Sequence, residues 1–167
     1  MRMPMNETDL VALFRTLGAD DPEARAHSQT TDGIPQLARF LFLRQAWRAI
    51  VSEGDCTWID REIAGGAERS SGPYAGIGQA LARLRNLGAA DDDIVDLVRG
   101  MQASLLFSLC YLLEDPGDVE PEVEGICWAL VQTDEDDNIL GFISGLHESV
   151  LGSDPTGREM RPRTQPG

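Results

Sequence analysis

Asp91 to Glu114 reads DDDIVDLVRGMQASLLFSLCYLLE, and this stretch decides the fold class. Its three leading aspartates offer an N-cap and complement the positive end of a helix dipole. Ile94, Val98, Met101, Leu105, Leu109 and Leu112 then recur at steps of three and four, the spacing of one helical face. Leu106, Cys110 and Leu113 add a second apolar side, so the later turns are apolar nearly all round. A helix of that kind is expected at the centre of a domain, covered by its neighbours. Gly100, Ser104 and Ser108 fall four apart and would let another helix approach closely. Asp115-Pro116-Gly117 ends the element.

Upstream, four further helices are expected. Asn6 caps the first, whose apolar positions Leu10, Leu13, Phe14 and Leu17 lead to a stop at Gly18. Ala19 to Gly33 is polar and holds Pro22, which predicts a loop or at most one helical turn. Pro35 opens the second helix, with Leu37, Phe40, Leu41, Trp47, Ile50 and Val51 as its buried stripe and Gly54 as its end. Asp55 or Thr57 caps a short third helix through Trp58, Ile59 and Ile63. The glycine-rich run GGAERSSGPYAGIG follows and reads as the most flexible part of the interior. Pro73 starts the fourth helix, with Ile77, Leu81, Leu84 and Leu87 facing inward and Gly88 closing it.

Downstream the pattern changes. Ile126–Gln132 (ICWALVQ) and Ile139–Ile143 (ILGFI) flank the polar run TDEDDN, in the manner of strand, turn and strand. A helix through Cys127 to Val131 also fits the residues. His147 to Leu151 suits a last short helix, and residues 153–167, with three prolines and Arg158, Arg161 and Arg163, suit an extended, mobile tail. The expected architecture is therefore mainly α. It is a single-domain bundle over 1–152, about five helices around a central apolar helix at 92–114, with a small hairpin near 126–144.

Composition limits the function. The chain has 167 residues, 42% of them apolar, enough to fold as one domain without disulfides or a structural metal. Twenty-eight acidic residues face 14 basic ones, all of them Arg, for a formal charge of -14. Such a surface repels nucleic acid and anionic membranes and would attract basic proteins, while the plainer reading is that the charge keeps the protein soluble. Cys56, Cys110 and Cys127 are odd in number and form no CxxC pair, a usage that suits a reducing cytosol. The start, MRMPMNETDL, has no apolar h-region of the secretory kind. The run Leu105–Leu113 is far short of the roughly 20 residues of a membrane span. No nucleic acid, membrane or cofactor is therefore expected.

Two familiar motifs fail on the residues at their key positions. Asp134 to Asn138 resembles the opening of a calcium loop, but Ile139 and Gly145 stand where the bend glycine and the bidentate glutamate belong. Gly152 to Glu159 has the glycine spacing of a P-loop, with Arg158 and Glu159 in place of its Lys and hydroxyl.

Two candidate sites remain. Asp118, Glu120, Glu122 and Glu124 alternate, so an extended chain would point all four carboxylates one way, a comb able to hold a divalent cation or to grip an Arg- or Lys-rich partner. The bland alternative is a solvated, Pro-stiffened loop. His147-Glu148-Ser149 is the most chemically suggestive triplet, since a His near an acid and a hydroxyl can serve as general base. Adjacent side chains diverge, however, and no nucleophile elbow surrounds Ser149. His147 and Glu148 are the weak catalytic candidates, and no metal site is expected. The favoured function is a non-catalytic interaction module of antitoxin, immunity or adaptor kind, docking a basic partner. The alternative is a small enzyme or ligand-binding protein with a pocket near His147 and the 118–124 segment. A homodimer seam along the apolar helix is a third possibility.

Overall fold

The computed structural model describes residues 5–69, 71–115, 117, 121–123 and 125–163. They form seven α-helices and one antiparallel hairpin: α1 (Glu7–Leu17), α2 (Pro22–Thr31), α3 (Gln36–Arg48), α4 (Thr57–Arg69), α5 (Ala75–Asn86), α6 (Asp91–Leu112), β1 (Val131–Thr133), β2 (Ile139–Phe142) and α7 (Leu146–Ser149). The mainly helical class with a C-terminal hairpin is the one expected. The chain divides into two compact units, one made of Met1–Trp47 and Leu106–Gly167, the other of Arg48–Leu105.

In the first unit, Asn6 caps α1 by accepting the Asp9 N–H at 2.9 Å, and Gly18 ends it in the left-handed region. The segment read as a loop is instead the ten-residue helix α2. Its only fully buried residue is Ala26, which joins Leu10 and Phe14 in a small core backed by Leu37 and Phe40. One small inward residue leaves no apolar period to detect. Phe14 and Phe40 meet edge to face with ring centroids 5.9 Å apart. Farther along, the Trp47 indole N–H donates to the Val150 carbonyl at 3.0 Å.

The hairpin question is settled in favour of strands, with Val131 opposite Phe142, Gln132 opposite Gly141 and a bulge before Thr133. Asp134 shapes the turn by accepting the backbone N–H groups of Asp136 and Asn138 at 3.0 and 2.9 Å. The Trp128 indole N–H donates to the Leu112 carbonyl at 2.6 Å, tying the strand's approach to the end of α6. Beyond Ser153 the buried Asp154 organises turns, accepting from the Thr156 N–H and hydroxyl at 3.1 and 2.9 Å and from the Met160 N–H at 3.3 Å.

In the second unit, Ile59, Leu81, Ile94 and Val95 form the core, with Val51, Trp58, Ile63 and Val98 packed against them. The two ends of the glycine-rich run are helical, 65–69 closing α4 and 75–78 opening α5. Gly66 lies in α4 and Gly78 in α5, where the two helices touch. A Cβ on Gly66 would come within 2.9 Å of the Gly78 Cα, and one on Gly78 would strike the Glu62 carbonyl. These glycines serve close helix approach. Arg85 closes the same unit, gripping Asp91 through Nε and Nη2 at 2.8 and 2.7 Å and reaching Asp60 with Nη1. Arg99 and Gln102 of α6 hold the Val51 backbone, one donating to its carbonyl at 2.7 Å and the other accepting its N–H at 2.8 Å.

The long helix departs from expectation in its covering. Val95, Arg99, Ala103 and Cys110 are buried along one side of α6, with Leu106 and Leu113 half-buried. Leu97, Met101, Leu105, Leu109 and Leu112 follow one another by four, four, four and three residues on the other side and are 45–66% exposed. The helix was read as covered all round; these residues are instead exposed. By length and composition alone α6 also suffices to cross a membrane, its best 18-residue window having a mean hydropathy of 1.2 with 28% buried.

Candidate functional site

Two features stand out: a polar cluster around Glu114 and the open side of α6. The cluster draws on three separate parts of the first unit. Glu114 follows the last turn of α6, Arg39 lies on α3, and Gly145 to Ser149 carry the start and body of α7. Glu114 Oε1 accepts the Leu146 N–H at 2.6 Å and lies 3.3 Å from His147 Nδ1. Burial pushes the Glu114 carboxyl up, but the backbone N–H groups of Gly145 and Leu146, together with His147, outweigh it and hold the group below its ordinary range. A short α-helix cannot cap all its own leading N–H groups, and this remote carboxylate does it.

Arg39 works from the opposite side of the same peptide. Its Nη2 donates to the Gly145 carbonyl and, at 2.9 Å, to Ser149 Oγ. The guanidinium is buried, which pushes its pKa down, and the charges of Glu148 and Glu114 offset part of that. Gly145 is required twice over. Its φ is 68°, and a Cβ there would lie 2.7 Å from the Arg39 Nη2.

The sequence candidates fall out unevenly. His147 is half-buried, flanked by Tyr111 and Phe107 with ring centroids at 5.1 and 5.9 Å. Its carboxylate partner is Glu114, not the neighbouring Glu148, which is exposed. Glu122 sits exposed in the short 3-10 turn Pro121–Val123. Asp118, Glu120 and Glu124, the rest of the acidic comb, lie outside the described residues. Glu114, Arg39 and Tyr111 escaped the sequence reading. The signal for Glu114 was available: an acid closing a charge-free run, upstream of a helix start at Gly145-Leu146 that lacks a local cap.

Chemically, the Glu114–His147 pair is half of a relay, a base oriented by an acid. The hydroxyl that would complete it is engaged elsewhere, since Ser149 Oγ accepts from Arg39. The same polar atoms pin α7. Among the described residues no group of three or more His, Cys, Asp or Glu side chains is arranged to hold a metal ion.

The open side of α6 has a different character. Met101 to Leu113 carries no charged residue. The apolar stretch is bracketed by acids, with the exposed Asp92 and Asp93 at one end and the exposed Asp115 at the other. Contiguous apolar exposure of this sort is common to protein, membrane and ligand-binding surfaces.

No protein-family model matches the chain, and neither a curated protein nor a solved structure matches it.

Proposed function

We propose that the protein is a non-catalytic interaction module, antitoxin-, immunity- or adaptor-like in kind, that docks a basic protein partner. The observation that carries this reading is the exposed row Leu97, Met101, Leu105, Leu109 and Leu112 on the outer side of α6. An apolar row with acid at both ends suits a partner whose apolar contact is flanked by Lys or Arg. The formal charge of -14 supports the same sign of partner and disfavours a second copy. In either orientation two α6 helices would set acid against acid at their ends. A membrane is disfavoured because Arg99 and Gln102 commit the inner side of α6 to protein backbone. The cysteine usage supports a cytosolic setting.

The experiment is capture of partners on the tagged chain from its host's lysate, with elution by a salt step. Reversing Glu120, Glu122 and Glu124 to Lys should weaken the complex and flatten its salt dependence. An unchanged affinity would remove the acidic comb from the reading.

The alternative, a small enzyme or ligand-binding protein around His147, draws on the half-buried pair with Glu114. It is the weaker reading because Ser149, Arg39 and Glu114 are already engaged in holding α7.

A further inference from the structure

The hairpin is a sheet that stops at two strands. Among the described residues β2 pairs only with β1. Its Ile139, Leu140 and Phe142 are 59–65% exposed, and alternation along a strand puts such neighbours on both faces. A lone two-stranded hairpin is marginal in water, and either a third strand or packing against a helix stabilises such a unit. Natural free edges are guarded by charge, Pro, shortness or a bulge; Ile139-Leu-Gly-Phe142 has no charge or Pro, and its four residues and the bulge at Leu140 leave Phe142 as the regular edge position. Ile143 donates its N–H inward, to the Leu130 carbonyl at 2.8 Å. Antiparallel alternation therefore turns the Phe142 N–H and carbonyl outward, away from β1. At the strand's leading end the turn exposes Asp134, Glu135, Asp136 and Asp137.

We infer that the outer edge of β2 takes up an extended segment of the basic partner as a third strand. Its backbone pairs with the outward groups of Phe142, its apolar side chains cover Ile139, Leu140 and Phe142, and its Lys or Arg meets the turn carboxylates. The inference rests on the basic-partner reading above. Charge decides the occupant. A second copy offers the same apolar edge, but two-fold pairing sets each acidic turn beside the other's Phe142-Ile-Ser-Gly145, which brings no cation. A Lys-bearing strand brings one.

The test titrates the intact chain with the peptide Lys-Lys-Val-Thr-Val-Thr-Val and with its reversed sequence, which together cover both strand directions. Affinity, its salt dependence and amide exchange at Phe142 are the readouts. One peptide should bind more weakly as salt rises and slow Phe142 exchange about tenfold or more. Phe142→Pro, which removes the outward donor, should weaken binding about tenfold or more. Continued protection of the Ile143 N–H reports that the hairpin survives the substitution. If it does not survive, Leu140→Lys, which places a guarding charge on the edge, takes its place. Equal binding by the variant, with Phe142 exchange unchanged, overturns the edge inference and leaves the basic-partner reading standing. Failure of both peptides to bind also overturns it, while capture from lysate judges the broader reading separately. Phe142 protection that depends on protein concentration without any peptide names a second copy as the occupant and overturns the inference as well.

Discussion

Glu114 Oε1 lies 2.6 Å from the backbone nitrogen of Leu146, so a carboxylate 32 residues upstream caps the start of α7. Arg39 holds the carbonyl of the preceding residue, Gly145, from the other side. Together they fix the segment that a sequence reading singles out for chemistry. Glu114→Ala should therefore lower stability by about 1–3 kcal/mol, the cost of leaving buried N–H groups without an acceptor. Glu114→Gln keeps an acceptor and should lose less. Denaturant melts at neutral pH check both, and a null effect for the Ala variant would contradict the capping role.

The same group sets a pH dependence. The Glu114 carboxyl is held below its ordinary 4.5 in the folded chain, so the unfolded chain binds its proton first as pH falls. Its stabilising contribution is full above about pH 4.5 and fades as pH drops through the lowered folded value. Wild type should lose more stability between about pH 5 and pH 3 than Glu114→Ala does. Parallel curves for the two proteins would contradict this.

The two glycines of α5 separate packing from propensity. Gly78→Ala drives a methyl into the Glu62 carbonyl and should destabilise by about 3 kcal/mol or more, since backbone cannot yield as a side chain can. Gly76 faces open space, so Gly76→Ala should stabilise by about 0.5–1 kcal/mol through helix propensity. Thermal melts of the two variants would move in opposite directions.

Thiol reactivity should rank the cysteines. Cys127 is exposed, whereas burial first, then Glu114, pushes the Cys110 thiol up to about 11. Partial burial and Asp92 raise Cys56 as well. A maleimide at neutral pH should label Cys127 fastest and Cys110 only as the chain unfolds. Mass spectrometry of a labelling time course reads the order directly.

What the sequence made legible follows from how strongly each element is marked. α1 carries its own cap, apolar period and stop in Asn6, Leu10, Phe14 and Gly18. α2 buries only Ala26 and so leaves no period. Gly66 fell in a run read as flexible, and Gly78 inside the helix expected from Pro73, but composition cannot show that the two glycines press against each other. In α6 both apolar sides were visible, but which side the chain itself covers depends on tertiary packing. Met101, Leu105, Leu109 and Leu112 are on the side left open, while Ala103 and Cys110 face in. The cluster at Glu114 was hidden for a related reason: Arg39, Glu114 and Ser149 meet only once three distant segments have folded.

The open side of α6, proposed as a docking surface, is probed by capture from the host's lysate with two forms of the chain. One form is wild type; the other carries Met101→Asp, Leu105→Asp and Leu109→Asp. All three side chains are exposed, so both forms should melt alike. A basic protein retained in stoichiometric amount by wild type, released by moderate salt and lost from the substituted form is the predicted result. Equal retention of that protein by both forms, or no basic protein on either, would show that α6 docks no basic partner.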